Sequence, residues 1–261
     1  MGPLLLGLSL LLSHLITQLI VHLITKKLPN TPTLDVLYAA NWLVSLVHAV
    51  ITTLVGVVMF MGCEMELMEV KVPLLYPYGW LSLGYWVYDL LSLAFLANKA
   101  TLPNKQGWIL QEVSRQISNL VRWWPGMVGH HLGVITFLCM AVINTDRQRG
   151  DGMVVVALIM EISSVFVAAR SALARLGFKK TSLYLWISIC MVASFFLGRI
   201  VLIPGIILLY SKQQGLSLVQ GILTMPKKCA VGTLMFYGLN CYWFGLMVKG
   251  SIKVLRKPKK S

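Results

Sequence analysis

The stretch LYAANWLVSLVHAVITTLVGVVMFM, Leu37 to Met61, decides the fold. It contains no Asp, Glu, Lys or Arg. About 20 consecutive apolar residues suffice to cross the hydrocarbon core of a bilayer as a helix. This stretch is not apolar all round, however. Asn41, Ser45, His48 and Thr52 recur at i, i+4, i+7 and i+11, so they lie on one stripe of a helix. Such a stripe faces the interior of a helix bundle rather than lipid.

Similar runs recur along the chain. Seven spans are expected, near residues 3–24, 37–61, 74–97, 123–143, 153–174, 182–209 and 229–248. The composition agrees: 57% of the 261 residues are hydrophobic and only 12% are charged. A soluble domain would need a polar skin that this chain lacks. The expected fold class is therefore an all-α polytopic membrane protein, with about seven transmembrane helices around a polar intramembrane chamber. The first run has no basic start or small-residue cleavage site and is followed by Lys26-Lys27, so it reads as an uncleaved span. The sixth carries Pro204, which should kink it and leave a carbonyl for another group to satisfy.

The net charge of +14 resides in the connections and the tail, which excludes a folded nucleic-acid face. Lys26, Lys27, Lys99, Lys105, Arg115, Arg122, Arg175, Lys179, Lys180 and the tail from Lys249 to Lys260 fall on one side. The other side has fewer basic residues and also holds Glu64, Glu66 and Glu69. The positive-inside rule then puts the N-terminus in the lumen and the C-terminus in the cytosol. Between spans three and four, residues 98–122 carry apolar groups at helical spacing, flanked by Trp108, Trp123 and Trp124. That pattern predicts an amphipathic helix at the cytosolic headgroup level. The five cysteines show no metal-like spacing and read as free, buried thiols. The chain divides into a first span with its linker (1–34), a transmembrane domain (35–250) and a basic cytosolic tail (251–261).

Ionisable groups at membrane depth are costly and usually functional. Here they are His48, Asp89, His130, His131, Glu161 and Arg199, with Asn240 as a buried amide. Ser82, Tyr85, Asp89 and Ser92 form a second polar stripe, on span three. His48, Asp89, His130, His131 and Asn240 lie about 7–11 residues from the cytosolic ends of their spans, roughly 10–16 Å deep. They could share one chamber. Glu161 and Arg199, somewhat closer to the lumenal side, suit an ion pair with each other, or Glu161 could point toward the histidines instead. On a helical wheel His130 lies beside an edge formed by Gly129 and Gly133, which should let another helix approach closely, and His131 lies nearly opposite. One imidazole should face the chamber and the other should be tied to a neighbouring helix. His48, His130, His131 and Asp89 could also supply zinc ligands, but no local spacing supports this, and no metal is expected.

Several segments together resemble the TLC-domain family, which includes the ceramide synthases. They are LVSLVHAV (43–50), the Tyr88-Asp89 pair, the histidine pair (130–131), RGDGMVVVALIMEISSVFV (149–167), GRIVLIPGIILLYSKQQGLSL (198–218) and YWF (242–244). The branch most resembled is the ceramide-synthase-like one described as sequence-similarity family fifty-seven. The resemblance implies transfer of a fatty acyl group from acyl-CoA, as co-substrate, to a sphingoid long-chain amine. His130 and His131 are the expected catalytic pair, with Asp89 and Glu161 to orient them. His48, Arg199, Asn240 and Tyr88 are expected to bind substrate. No tightly bound cofactor is implied. The partners implied are membrane lipids, acyl-CoA and a sphingoid base; no nucleic acid is expected, and a homodimer is left open. The family's motif continues as His-Asp-x-x-Asp, whereas this chain has Ala157-Leu158-x-x-Glu161. That departure supports an alternative, a non-catalytic lipid-binding regulator of membrane composition. A transporter would predict inverted repeats, and none is visible. The resemblance implies the endoplasmic reticulum, and KPKKS fits a cytosolic retrieval signal with Lys257 and Lys259.

Overall fold

In a computed structural model, which describes residues 1–63, 69–101, 118, 121–122, 125–143, 150–225 and 227–255, every apolar run is helical. The helices are α1 (Gly2–Lys27), α2 (Thr33–Met61), α3 (Leu75–Thr101), α4 (Pro125–Ile143), α5 (Asp151–Ile159) and α6 (Ile162–Arg175). Then come α7 (Ser182–Phe195), a π-helical segment (Phe196–Val201), α8 (Leu202–Gln213), the short α9 (Leu218–Thr224) and α10 (Lys227–Leu255). No strand occurs among the described residues.

Six helical stretches are long and apolar enough to cross a membrane, with α5–α6 and α7–α8 each counted as one. The seventh expected span is α4, which is not among the six. Its 19 residues reach about 28 Å at 1.5 Å per residue, near the lower limit for a span. The amphipathic helix expected over 98–122 lies largely outside the described residues; its first four residues continue α3.

Local sequence explains where helices start and stop. Pro32 precedes α2, and Asp35 in its first turn suits the positive end of the helix dipole. Thr181 caps α7 by accepting from the Tyr184 amide, and Ser217 with Gln220 forms a capping box on α9. Gly177, at φ 87°, ends the turn after α6 in a conformation that β-carbons disfavour.

Water provides no drive for helix association inside a membrane, so close packing and hydrogen bonds must. Helix α1 packs on α3 and α2, α2 on α3, α5 and α6, α3 on α4, and α6 on α7. Helix α10 touches α4, α7 and the π segment. Followed in turn, α2, α3, α4, α10, the π segment and α6 close a ring. Two glycines set close approaches within this packing. A β-carbon on Gly84 would lie 2.6 Å from the Leu6 carbonyl oxygen of α1, and one on Gly56 would lie 2.9 Å from Leu158 Cβ of α5. The Thr17 and Tyr88 hydroxyls, hydrogen-bonded to each other, also join α1 to α3.

Cys63, Cys139, Cys190 and Cys241 are free; of these Cys63 is buried, and Cys190 and Cys241 are exposed. This corrects the expectation of buried thiols, because the outer face of a membrane bundle is apolar too. The Gly84→Val variant is expected to separate α1 from α3 and to cost about 1–3 kcal/mol by overpacking. Thermal unfolding in detergent should then show a lowered midpoint. Gly7→Val should leave it unchanged, since nothing lies within 4 Å of that β-carbon. A Gly84→Val protein as stable as the parent contradicts the packing described.

Candidate functional site

The polar residues of the ring form three linked groups. In the first, α4 presents His131, only 1% exposed, to Asp89 of α3. His131 Nε2 lies 2.6 Å from Asp89 Oδ2, and Nδ1 lies 2.8 Å from the Met127 carbonyl one turn back. A carbonyl can only accept, so Nδ1 carries a proton. The second proton therefore lies between Nε2 and the carboxyl oxygen. Whichever atom holds it, the pair has no net charge. Asp89 Oδ1 also accepts from Asn41 Nδ2 at 2.9 Å and from Ser45 at 3.5 Å. The polar stripe of α2 thus positions the carboxyl group that positions His131.

His130, 8% exposed, is held differently. Its ring sits edge-on to Trp86, His131 and Trp243 at centroid distances of 5.5, 5.8 and 5.2 Å, and lies tilted against Phe236 at 5.4 Å. Its Nδ1 is buried and has no hydrogen-bond partner among the described residues. The two adjacent imidazoles therefore differ: one is fixed by polar partners at both nitrogens, and the other is enclosed by aromatic rings with a bare nitrogen. His131 is the imidazole tied to a neighbouring helix, α3. The glycine edge is corrected: Gly129 and Gly133 are exposed, and a β-carbon on either would meet nothing within 4 Å among the described residues. The helix contact in this region is at Gly126, which faces the indole nitrogen of Trp243.

The second group surrounds His48. Its Nε2 lies 3.3 Å from both the Ser82 and Thr52 hydroxyls, and its ring stacks on Tyr85 at 3.6 Å. The Tyr78 hydroxyl extends this chain through Thr52. His48 makes no hydrogen bond to Asp89 or to either histidine of the pair, but Trp86 is edge-on to all three imidazoles.

The third group centres on Arg199, 3% exposed, in the π segment. Nη2 donates to Glu161 Oε1 at 2.9 Å and to Ser164 Oγ at 3.0 Å. Nε donates to Ser163 Oγ at 2.8 Å, and Nη1 lies 3.5 Å from Asn240 Oδ1. The expected ion pair is present. Glu161 lies where α5 breaks from α6: the amides of Glu161, Ser163 and Ser164 bond three residues back rather than four. The carboxylate therefore sits at the N-terminus of α6, where the dipole favours it. Opposite it, the carbonyl of Ile200, released by Pro204, accepts from the Tyr237 hydroxyl at 3.4 Å. The partner that the proline demands comes from α10.

Asp89, His130 and His131 thus lie together, Glu161, Arg199 and Asn240 form a separate group, and His48 stands between aromatic rings. Tyr88 faces α1 through Thr17, on another side of α3 from Asp89. Among the described residues no three His, Cys, Asp or Glu side chains are grouped to hold a metal ion. Sequence reading missed Trp86, Phe236, Trp243, Ser163 and Ser164. Helical spacing could have found the rings: Trp86 is three residues before Asp89, and Phe236 and Trp243 flank Asn240 at i−4 and i+3.

Removing one member of a buried ion pair typically costs about 3–5 kcal/mol, more than replacing both with apolar groups. Glu161→Leu should therefore lower the thermal midpoint in detergent more than Glu161→Leu combined with Arg199→Met. Equal or greater loss in the double variant contradicts a dominant pairing of these two side chains.

No solved structure matches the chain. Residues 38–249, which run from the start of α2 into α10 and contain all three polar groups, match the family of the TLC domain. The chain belongs to the TLC-domain family of multi-pass membrane proteins, a family that points to work on membrane lipids.

Proposed function

We propose that the protein transfers a fatty acyl group from acyl-CoA to a long-chain amine, a sphingoid base, in the endoplasmic reticulum membrane. The observation that carries this reading is the unlike pair: His131 fixed between Asp89 and Met127, beside His130 with its bare, buried Nδ1. Acyl transfer needs a group that removes the amine proton as the carbon–nitrogen bond forms and the carbon–sulfur bond breaks. His130 has a nitrogen available for that proton. His131, with both nitrogens tied to Asp89 and Met127, is the positioned partner that holds the ring of His130 in place, and the proton that His130 takes from the amine passes on to the departing thiolate. Asp89 takes the orienting role in this scheme. Glu161 and Arg199 neutralise each other and hold two irregular turns near the histidines, so neither is free to act alone. In this reading the end of the bundle with Lys26, Lys27, Arg175, Lys179 and Lys180 faces the cytosol and meets the CoA phosphates.

A second reading has its own observation. Where the resembled motif has His-Asp, this chain has Ala157 and Leu158, and Leu158 is buried in an apolar cluster with Met59, Leu75 and Tyr78. A protein that keeps the fold and binds lipid without turnover, as a regulator of membrane composition, is consistent with that change.

One assay separates the two readings. Purified protein incubated with acyl-CoA and sphinganine should form N-acyl product. His130→Ala should lower the rate by about 10²-fold or more, the usual size of a lost acid–base group, and His131→Ala, which removes the positioning of His130, should lower it as well. Asp89→Asn should lower kcat with little change in KM, because it alters the orientation of His131 rather than binding. Absence of product from the parent protein, or full activity in both histidine variants, overturns the acyl-transfer reading; lipid retained without turnover supports the regulator.

A further inference from the structure

Helix α1 has two unlike faces. Ser9, Ser13 and Ile24 are buried, and α1 packs on α3 and α2. Elsewhere on the helix Leu4, Leu11, Gln18 and Thr25 follow at intervals of seven residues, with His14 between Leu11 and Gln18. At 3.6 residues per turn these five fall within an arc of about 80°. All five are exposed. The side chains of His14 and Gln18 make no hydrogen bond among the described residues. His14 stands near the middle of the 26-residue helix, about 18 Å from either end. Gln18 follows one turn later, about 14 Å from Lys27. Neither side chain is long enough to reach water from there. Polar and ionisable groups at such depth face protein or a water-filled cavity. Helix α1 instead turns these two away from its own bundle.

The spacing points to a second helix, because a seven-residue repeat is the seam along which two helices coil around each other. The polar groups point to whose helix it is. All copies of a chain insert into a membrane the same way. A twofold axis along the membrane normal therefore brings α1 against α1 in parallel, with each residue facing its own counterpart at the same depth. The Gln18 amide carries both donors and an acceptor, and a neutral imidazole carries one of each. Both are thus complementary to themselves. A helix of different sequence would need matching polar groups at both depths. We propose that the outward face of α1 is the contact between two copies of this chain, a parallel pair in which Gln18 bonds Gln18 and His14 bonds His14. A polar residue at a seam position fixes such a register. Leu4 and Leu11 close the seam by packing. The contact leaves the α2 and α3 side of α1 untouched, so each copy keeps its own polar ring. Neither acyl transfer nor lipid regulation is needed for it.

The full chain, carrying one fluorophore per copy, is placed in phosphatidylcholine vesicles at decreasing protein-to-lipid ratios, and single-molecule photobleaching counts the copies per spot. The parent protein should show two-step bleaching that gives way to single steps on dilution. Combined His14→Leu and Gln18→Leu should raise the dissociation constant about tenfold, the size expected for two interhelical hydrogen-bonded pairs. Leu12→Ala, exposed on another face of α1, should leave it unchanged. Both leucines replace exposed polar side chains, so the double variant should fold with a thermal midpoint no lower than the parent's. Should it fail to fold, cross-linking in the parent background decides. A photoreactive phenylalanine analogue in place of Leu11 should join α1 to α1 of a second copy, and one in place of Leu12 should not. Single-copy spots at every ratio, unchanged pairing in the folded double variant, or cross-links between other helices overturn the proposal.

Discussion

An ionisable group inside a bilayer must be neutralised or solvated by protein, and the rest of this structure follows from that constraint. Two pairs meet it. Asp89 and His131 share one proton between them and carry no net charge, and Arg199 is balanced by Glu161. Each pair spans two separate elements of the bundle, α3 with α4 and the π segment with the α5–α6 break. The interactions that cancel charge therefore also fix which helices are neighbours. Hydroxyls and amides satisfy the remaining donors and acceptors: Asn41 and Ser45 on Asp89, Ser163, Ser164 and Asn240 on Arg199.

The backbone departs from regular helix where these pairs need it to. Glu161 occupies a turn tightened to three-residue bonding, and Arg199 sits in a segment widened to π geometry. Irregular backbone is tolerated at membrane depth only when protein surrounds it. Here the two irregular turns face each other, joined by the guanidinium, and α10 contributes Tyr237 and Asn240 to cover them. Pi-helical turns often occur at functional sites. In this chain the turn aims one long side chain at four partners.

Much of this was legible in the sequence. The apolar runs gave the helices, the stripes on spans two and three gave their inward faces, and Pro204 announced an unpaired carbonyl. Opposite charge and similar depth pointed to the pairing of Glu161 with Arg199. Three features were not legible. The tight helix contacts fall at Gly84 and Gly56 rather than at Gly129 and Gly133, because spacing identifies where a helix could approach but not which helix is there. The direction of Tyr88 depended on α1, whose packing partner no local pattern reveals. The rings around His130 come from three helices, and aromatic residues in a membrane span look alike whether they face lipid or a histidine.

The central claim is that the adjacent histidines are held in unlike states, His131 by Asp89 and His130 among aromatic rings, with no partner for its Nδ1 among the described residues. Solid-state NMR on protein in bilayers, with ¹⁵N in the histidine rings and ¹³C in the aspartate carboxyl groups, measures this directly. One ring nitrogen should show strong dipolar coupling to one carboxyl carbon, and that coupling should vanish in His131→Gln and in Asp89→Asn but persist in His130→Gln. Coupling that vanishes in His130→Gln, or no coupling in the parent protein, would contradict the account.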